Sequence, residues 1–212
     1  MSETQAGPQA GDPPGTRIQR LNRDRILDGA LPVFAALGYG GATIDRIAQA
    51  AGLSKPNVLY YFAGKEAIYE ALLRRLLDLW LEPLRQLDHG GDPVEEMLKY
   101  VRIKLKLSRE HPDESRLFAA EILQGAPRLN PILQGQLKPL VDDQVRIIRR
   151  WMDQGRLAQV DPHHLIFSIW ALTQHYADFN AQVTAVLGPG HDDPYAEAGV
   201  FLEGLYRRLL AP

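Results

Sequence analysis

From residue 22 onward the apolar positions of this chain recur at intervals of three and four, the spacing of one helical face. Ile26, Leu27, Ala30, Leu31, Phe34 and Leu37 predict a first helix over 22–37 with these side chains buried. Gly29 and Pro32 interrupt it. A mid-helix proline removes one backbone bond and costs about 3 kcal/mol in an ideal helix, so a kink is expected there. Ile44, Ile47 and Ala48 mark a short second helix. A broad stripe of Ile68, Leu72, Leu73, Leu76, Leu77, Trp80, Leu81 and Leu84 predicts a long helix over 65–87, bent or ended by Pro83. Beyond it, Asp92-Pro93, Asn130-Pro131, Asp161-Pro162 and Asp193-Pro194 each set a capping side chain before a proline. The cap satisfies an orphan backbone donor, and proline in the first turn needs none. With Pro112 opening one more, the body reads as helices over 93–110, 113–124, 131–154, 162–183 and 195–210. Gly155 and Gly188-Pro189-Gly190 are stop signals. No stretch alternates with period two between turn signals, so the expected fold is all-α, without a sheet.

The stretch 43–65 organises the rest. Thr43 is a good N-cap, Gly52 enters the left-handed conformation cheaply, and Ser54 caps a further helix with Pro56 in its first turn. Two short helices joined by a three- to four-residue turn containing glycine make a helix-turn-helix. Its second helix presents Ser54, Lys55, Asn57, Tyr60 and Tyr61, hydroxyl, amide and cationic groups suited to phosphates and base edges. Thr43 and Lys65 flank it as further phosphate contacts; Tyr61 reads equally as a buried packing ring. Charge supports the reading. Residues 17–65 hold seven Lys/Arg against three acids, a net +4 within a chain of net −2. A basic end on an acidic body suits a protein that touches nucleic acid at one end. Arg17, Arg20, Arg23 and Arg25 read equally as a phosphate-binding arm or as a solvated helix start. Three segments are expected: a disordered Pro/Gly-rich tail over 1–16, a helix-turn-helix domain over 17–65, and a helical ligand-binding and dimerisation domain over 66–212.

Cysteine is absent, which removes disulfides and thiolate chemistry and fits a reducing cytoplasm. No apolar run approaches the roughly 20 residues of a membrane span, and no signal-peptide core opens the chain. Nucleophile elbows, phosphate loops and dinucleotide fingerprints are missing. His163 and His164 are adjacent, so they project about 100° apart on a helix and do not chelate as a pair. Neither a catalytic nor a metal site is expected. The better candidate is a small-molecule pocket in the body. Trp170, Gln174 and Asp178, at i, i+4 and i+8, share a helical face, and Trp80 sits where an antiparallel neighbour meets it. Two indoles and an amide suit a planar ligand with a cis-amide edge. On spacing alone the reading of the two tryptophans as core is favoured.

Particular strings go further. Gly38-Tyr39, Thr43-Ile44, Ile47-Ala48, Ala51-Gly52-Leu53-Ser54 and Leu59-Tyr60-Tyr61-Phe62-Ala63-Gly64-Lys65-Glu66 resemble the DNA-binding region of the tetracycline-repressor (TetR) family. Asp78 to Leu84, Ser115 to Phe118, Gly125-Ala126-Pro127, and Asp161 through Phe179 resemble the pyrimidine-utilisation repressors within it, and the likeness covers most of residues 20–187. The resemblance implies a homodimeric, cytoplasmic repressor of double-stranded operator DNA that needs no cofactor and releases DNA on binding an effector such as uracil or thymine. It places Trp80, Trp170 and Gln174 at the effector pocket, with Lys104, Phe118, Glu121, Tyr176 and Asp178 as secondary candidates. Leu73, Leu77 and Ile103 are apolar lining at best. The dimer interface falls on the last two helices. A small polar pocket favours a nucleobase; a large apolar cavity favours another aromatic metabolite or drug. An enzyme acting on a small heterocycle is the alternative of a different class, and requires converging acid–base groups or a metal.

Overall fold

The structure is a computed structural model that describes residues 17–212; the expected disordered tail, 1–16, lies outside the described residues. Among the described residues every regular element is helical, as the periodicity predicts. The order is α1 (Arg17–Gly41), α2 (Ile44–Ala50), α3 (Lys55–Tyr61), α4 (Lys65–Arg85), α5 (Pro93–Glu110), α6 (Pro112–Leu123) and α7 (Asn130–Ile132). A π-helical turn (Leu133–Leu137) leads into α8 (Lys138–Asp153), then α9 (Pro162–Asp178), α10 (Asn180–Leu187) and α11 (Pro194–Leu210).

Three of the four Asp/Asn-Pro starts behave as the capping argument requires. Asp92 accepts from Glu95 N at 2.9 Å, Asp161 from His163 N and His164 N at 2.9 and 3.1 Å, and Asp193 from Ala196 N at 3.1 Å. Asn130 does not: the chain is already helical at Leu129, which is fully buried, and the Asn130 side chain makes no cap bond. The run expected as one helix over 162–183 is two, because Phe179 leaves the helical region (φ −114°, ψ 30°) and α10 begins at Asn180. Its carbonyl accepts from Gln182 N and Val183 N, and this starts the new helix. In α1 the backbone keeps helical dihedrals through Pro32, whose ring faces solvent. The break comes at Gly38 instead (φ 65°, ψ 175°), leaving Leu37 40% exposed rather than buried. Pro83 is likewise absorbed within α4, which runs on to Arg85.

Two cores form. The first joins Ile26, Ala30 and Phe34 of α1 to Ile47, Val58 and Phe62, the α4 stripe from Ile68 to Leu81, and Leu117, Leu129 and Ile132 from the body. The second begins at Leu84 and gathers α5, α8, α9 and α11 around Tyr100, Trp151 and Tyr206. The first core continues across residue 65, from Phe62 to Ile68. That core is also where α1 packs on α6.

Candidate DNA interface and effector pocket

The helix-turn-helix is held by local chemistry. Arg46 N–H donates to Thr43 Oγ1 at 3.3 Å and Asn57 N–H to Ser54 Oγ at 3.4 Å. Gly52, at φ 62°, closes α2 through Leu53 N to Ala48 O (2.9 Å), a conformation that would strain any other residue. The end of α2 lies so close to α1 that a Cβ on Gly29 would stand 2.6 Å from Ala51 N and 2.8 Å from Ala51 Cα. Gly29 is thus the point of closest approach between α1 and the turn, which explains a glycine inside a helix.

Ser54, Lys55, Asn57 and Tyr60 form an exposed edge on α3, with Tyr60 73% exposed. Thr43, Arg17 and Arg20 are exposed too. Lys55 is paired with Asp45 across the turn at 2.9 Å. Two expected contacts turn inward instead. The Tyr61 hydroxyl accepts from Asn22 Nδ2 at 2.8 Å, and the Tyr61 carbonyl accepts from Arg23 Nη1 at 2.9 Å, so this half-buried tyrosine braces α3 on α1. Lys65 donates to the carbonyls of Tyr39 (2.7 Å) and Ala42 (3.0 Å) and lies 4.4 Å from the Tyr39 ring, satisfying acceptors where α1 ends. Its charge serves the fold rather than an outward-facing edge. Sequence reasoning left out Arg46, exposed one turn beyond the Thr43 cap; its signal is that it shares the outward face of α2.

In the body, Trp80, Lys104, Phe118, Trp170 and Gln174 converge with Leu77, Leu81 and Leu137 on an inner chamber of about 50 Å³. Phe118, Leu137, Trp170 and Gln174 also line an adjoining, mostly apolar cavity of about 630 Å³, bounded by Arg116, Ile122, Leu123, Asp178 and Phe179. The Trp170 indole is fixed by donating to the buried Tyr100 hydroxyl at 2.6 Å. The Trp80 Nε1–H is buried and finds no acceptor among the described residues. Lys104, 2% exposed, stands 4.4 Å over the Trp80 ring, and burial pulls its ammonium down to about 7. Asp178 accepts from Ser115 Oγ at 2.5 Å, and burial holds its carboxyl above the usual range. Tyr100 and the π-turn leucines carried no local sequence signal; they reach the site only through packing of distant helices.

Two secondary candidates are elsewhere. Glu121 is buried on the α6 face it shares with Leu117, where it accepts from Arg128 N at 2.9 Å; burial first, and the Glu121 carboxylate beside it, push the Tyr69 phenol up to about 12. Tyr176 faces a separate groove between α9, α10 and α11, 5.8 Å from the Tyr195 ring. Of the apolar lining, Leu77 reaches the chamber, while Leu73 and Ile103 do not line it. Among the described residues no group of His, Asp and Glu is arranged to hold a metal ion, and no helix is long and apolar enough to cross a membrane.

Known proteins share this arrangement. Residues 26–72 match the family model for bacterial regulatory proteins of the tetR family, and residues 73–212 match that for the C-terminal region of YcdC-like proteins. The HTH-type transcriptional regulator RutR of Escherichia coli is 47% identical over 173 residues, 82% of each chain. The chain belongs to the TetR family. Its fold matches that of the TetR family transcriptional regulator PfmR of Thermus thermophilus, with a TM-score of 0.68 at 21% identity, over 87% of this chain and 98% of that one. As a TetR-family member it is a ligand-responsive, DNA-binding transcriptional regulator and not an enzyme.

Proposed function

We propose that the protein is a homodimeric repressor whose α3 helices enter successive major grooves of an operator, and whose effector is a planar pyrimidine base such as uracil or thymine. The observation that carries the effector reading is the inner chamber. Trp80 and Trp170 supply flat walls, Gln174 an amide edge, and the unpartnered Trp80 Nε1–H and Lys104 two donors for ring carbonyls. The likeness to RutR supports a pyrimidine, and the family supports a dimer. So does the surface: Phe167 on α9, Phe179 just past its end, and Val200 and Phe201 on α11 are apolar side chains left 47–79% exposed on the segments expected at the interface. Paired reading heads about 34 Å apart fit a near-palindromic site. The effector acts if it binds one spacing of the heads better than the other.

Two outcomes test this division of labour. Tyr60→Ala is expected to weaken operator binding about 10- to 100-fold in gel-shift titration, the loss of a contact worth ~1–3 kcal/mol, and to leave effector affinity unchanged. A fall in effector affinity counts against it. Gln174→Ala is expected to abolish uracil-induced release from DNA while operator affinity stays at the wild-type value. An undiminished uracil response would place the effector elsewhere.

The adjoining 630 Å³ cavity favours a second reading, a larger aromatic effector, because it is of drug-ligand size and mostly apolar. Thermal shifts against uracil, thymine, cytosine and unrelated aromatics separate the two.

A further inference from the structure

The inner chamber contains a cation with nothing to hold. Lys104 reaches in from α5 and is enclosed by Leu77, Trp80 and Leu81 of α4, Phe118 of α6, Leu137 of the π-turn, and Trp170 and Gln174 of α9. Among the described residues nothing accepts a hydrogen bond from its ammonium; its electrostatic neighbour is Asp178. That carboxylate is committed to Ser115 and also feels Arg116 and His175, so it does not close an ion pair with Lys104. Beyond the attraction of Asp178, the cation's contact is the face of Trp80, whose own buried indole N–H finds no acceptor among the described residues. A buried ammonium and a buried N–H donor without acceptors are each costly, and one anionic group between them removes both costs.

We propose that Lys104 makes the pocket selective for effectors with an acidic ring N–H, the ring being held as its anion between the Lys104 ammonium and the Trp80 indole N–H. The proposal rests on the pyrimidine reading above and adds to it the form in which the base is bound. The ring N–H bond breaks and its proton passes to the Lys104 amine, making the ammonium. The electron pair stays on the ring nitrogen, delocalised into the neighbouring carbonyl oxygen, which accepts from Lys104 Nζ and Trp80 Nε1. Where Lys104 begins as the neutral amine, no proton is exchanged with solvent; where it begins charged, the ring proton leaves to solvent.

The test is calorimetric titration of the full chain with thymine, uracil and 5-fluorouracil at one neutral pH, repeated on Lys104→Met. Affinity is expected to rise with ring acidity, thymine weakest and 5-fluorouracil strongest, by up to about tenfold per unit of ring pKa. In Lys104→Met the gradient flattens. The wild-type complex with 5-fluorouracil should also show the red-shifted ultraviolet absorption of the ring anion at a pH where free ligand is neutral. Equal affinities in wild type, or a neutral-ring spectrum in the complex, overturn the proposal and leave the pyrimidine reading standing. Binding of none of the three takes both down. Should Lys104→Met fail to fold, the wild-type series and the spectrum decide alone.

Discussion

Arg128→Ala is expected to lower the unfolding free energy by about 3 kcal/mol, the low end of the range for orphaning a buried charge. Glu121 is 1% exposed, and its carboxylate faces Arg128 twice, through the backbone N–H at 2.9 Å and through Nη1 at 3.8 Å. Arg128 also lies 3.8 Å over the Tyr39 ring and 5.6 Å from that of Tyr69, with Nε 3.5 Å from Glu66 but without hydrogen-bond geometry. Removing the guanidinium leaves the Glu121 anion its hydrogen bonds from residue 128 N–H and Tyr69 but takes its countercharge from a nearly dry site. Arg128 is 21% exposed, so some water reaches the pair, which sets the value at the low end. Urea unfolding of Arg128→Ala, Glu121→Gln and the double variant measures the coupling. The double variant should recover part of the loss; strictly additive losses mean that the pair does not act as one unit. Operator affinity should fall as well, though Arg128 is not on α3, because Tyr39 lies at the end of α1 beside the helix-turn-helix. A neighbouring face of α6 lines the effector cavity through Phe118 and Ile122. The cluster is therefore one wall away from the pocket, and two-state movement of α6 would be felt at Tyr39.

The second large effect comes from Gly29→Ala. Helix propensity alone favours the substitution by about 1 kcal/mol. Packing opposes it, since the new Cβ would stand 2.6 Å from Ala51 N and 2.8 Å from Ala51 Cα, backbone atoms with no rotamer to yield. Overpacking of this kind costs about 1–3 kcal/mol. The expected result is a net loss of stability and, because α2 and the turn must be displaced from α1, operator binding weakened more than stability alone predicts. Gly29→Val should be worse. A stabilised Gly29→Ala that binds operator normally would mean that α1 and the turn slide apart freely.

The elements were legible because each helix carries its own start, stop and stripe. Asp92, Asp161 and Asp193 cap as their spacing with proline requires, and the α4 stripe is buried from Ile68 to Leu84. Asn130 misled because a helical turn precedes it, a tertiary consequence of burying Leu129. Phe179 misled because nothing in an apolar helical run announces a break. At the pocket, the shared face of Trp170, Gln174 and Asp178 held. Tyr176 could have been discounted, since two residues beyond Gln174 is about 200° around the helix. Glu121 differs from Phe118 by three positions, close enough in angle that periodicity could not separate a pocket wall from a contact with Tyr69 and Arg128. The inward turn of Lys65 and Tyr61 depends on Tyr39, Ala42 and Asn22, partners between 23 and 39 residues away in the chain, which no local pattern encodes.

The pairing of Lys55 with Asp45 bears on how the protein searches a chromosome. On the reading proposed above, Lys55 reaches a duplex with an anion already beside it. Moving it to a phosphate exchanges one partner for another, so an arbitrary stretch of backbone holds the protein less firmly than the number of its cations suggests. Asn57 and Tyr60 carry no such prior commitment to an acidic side chain. The arrangement shortens residence on unrelated sequence and leaves a larger share of the grip to groups that distinguish one base pair from another.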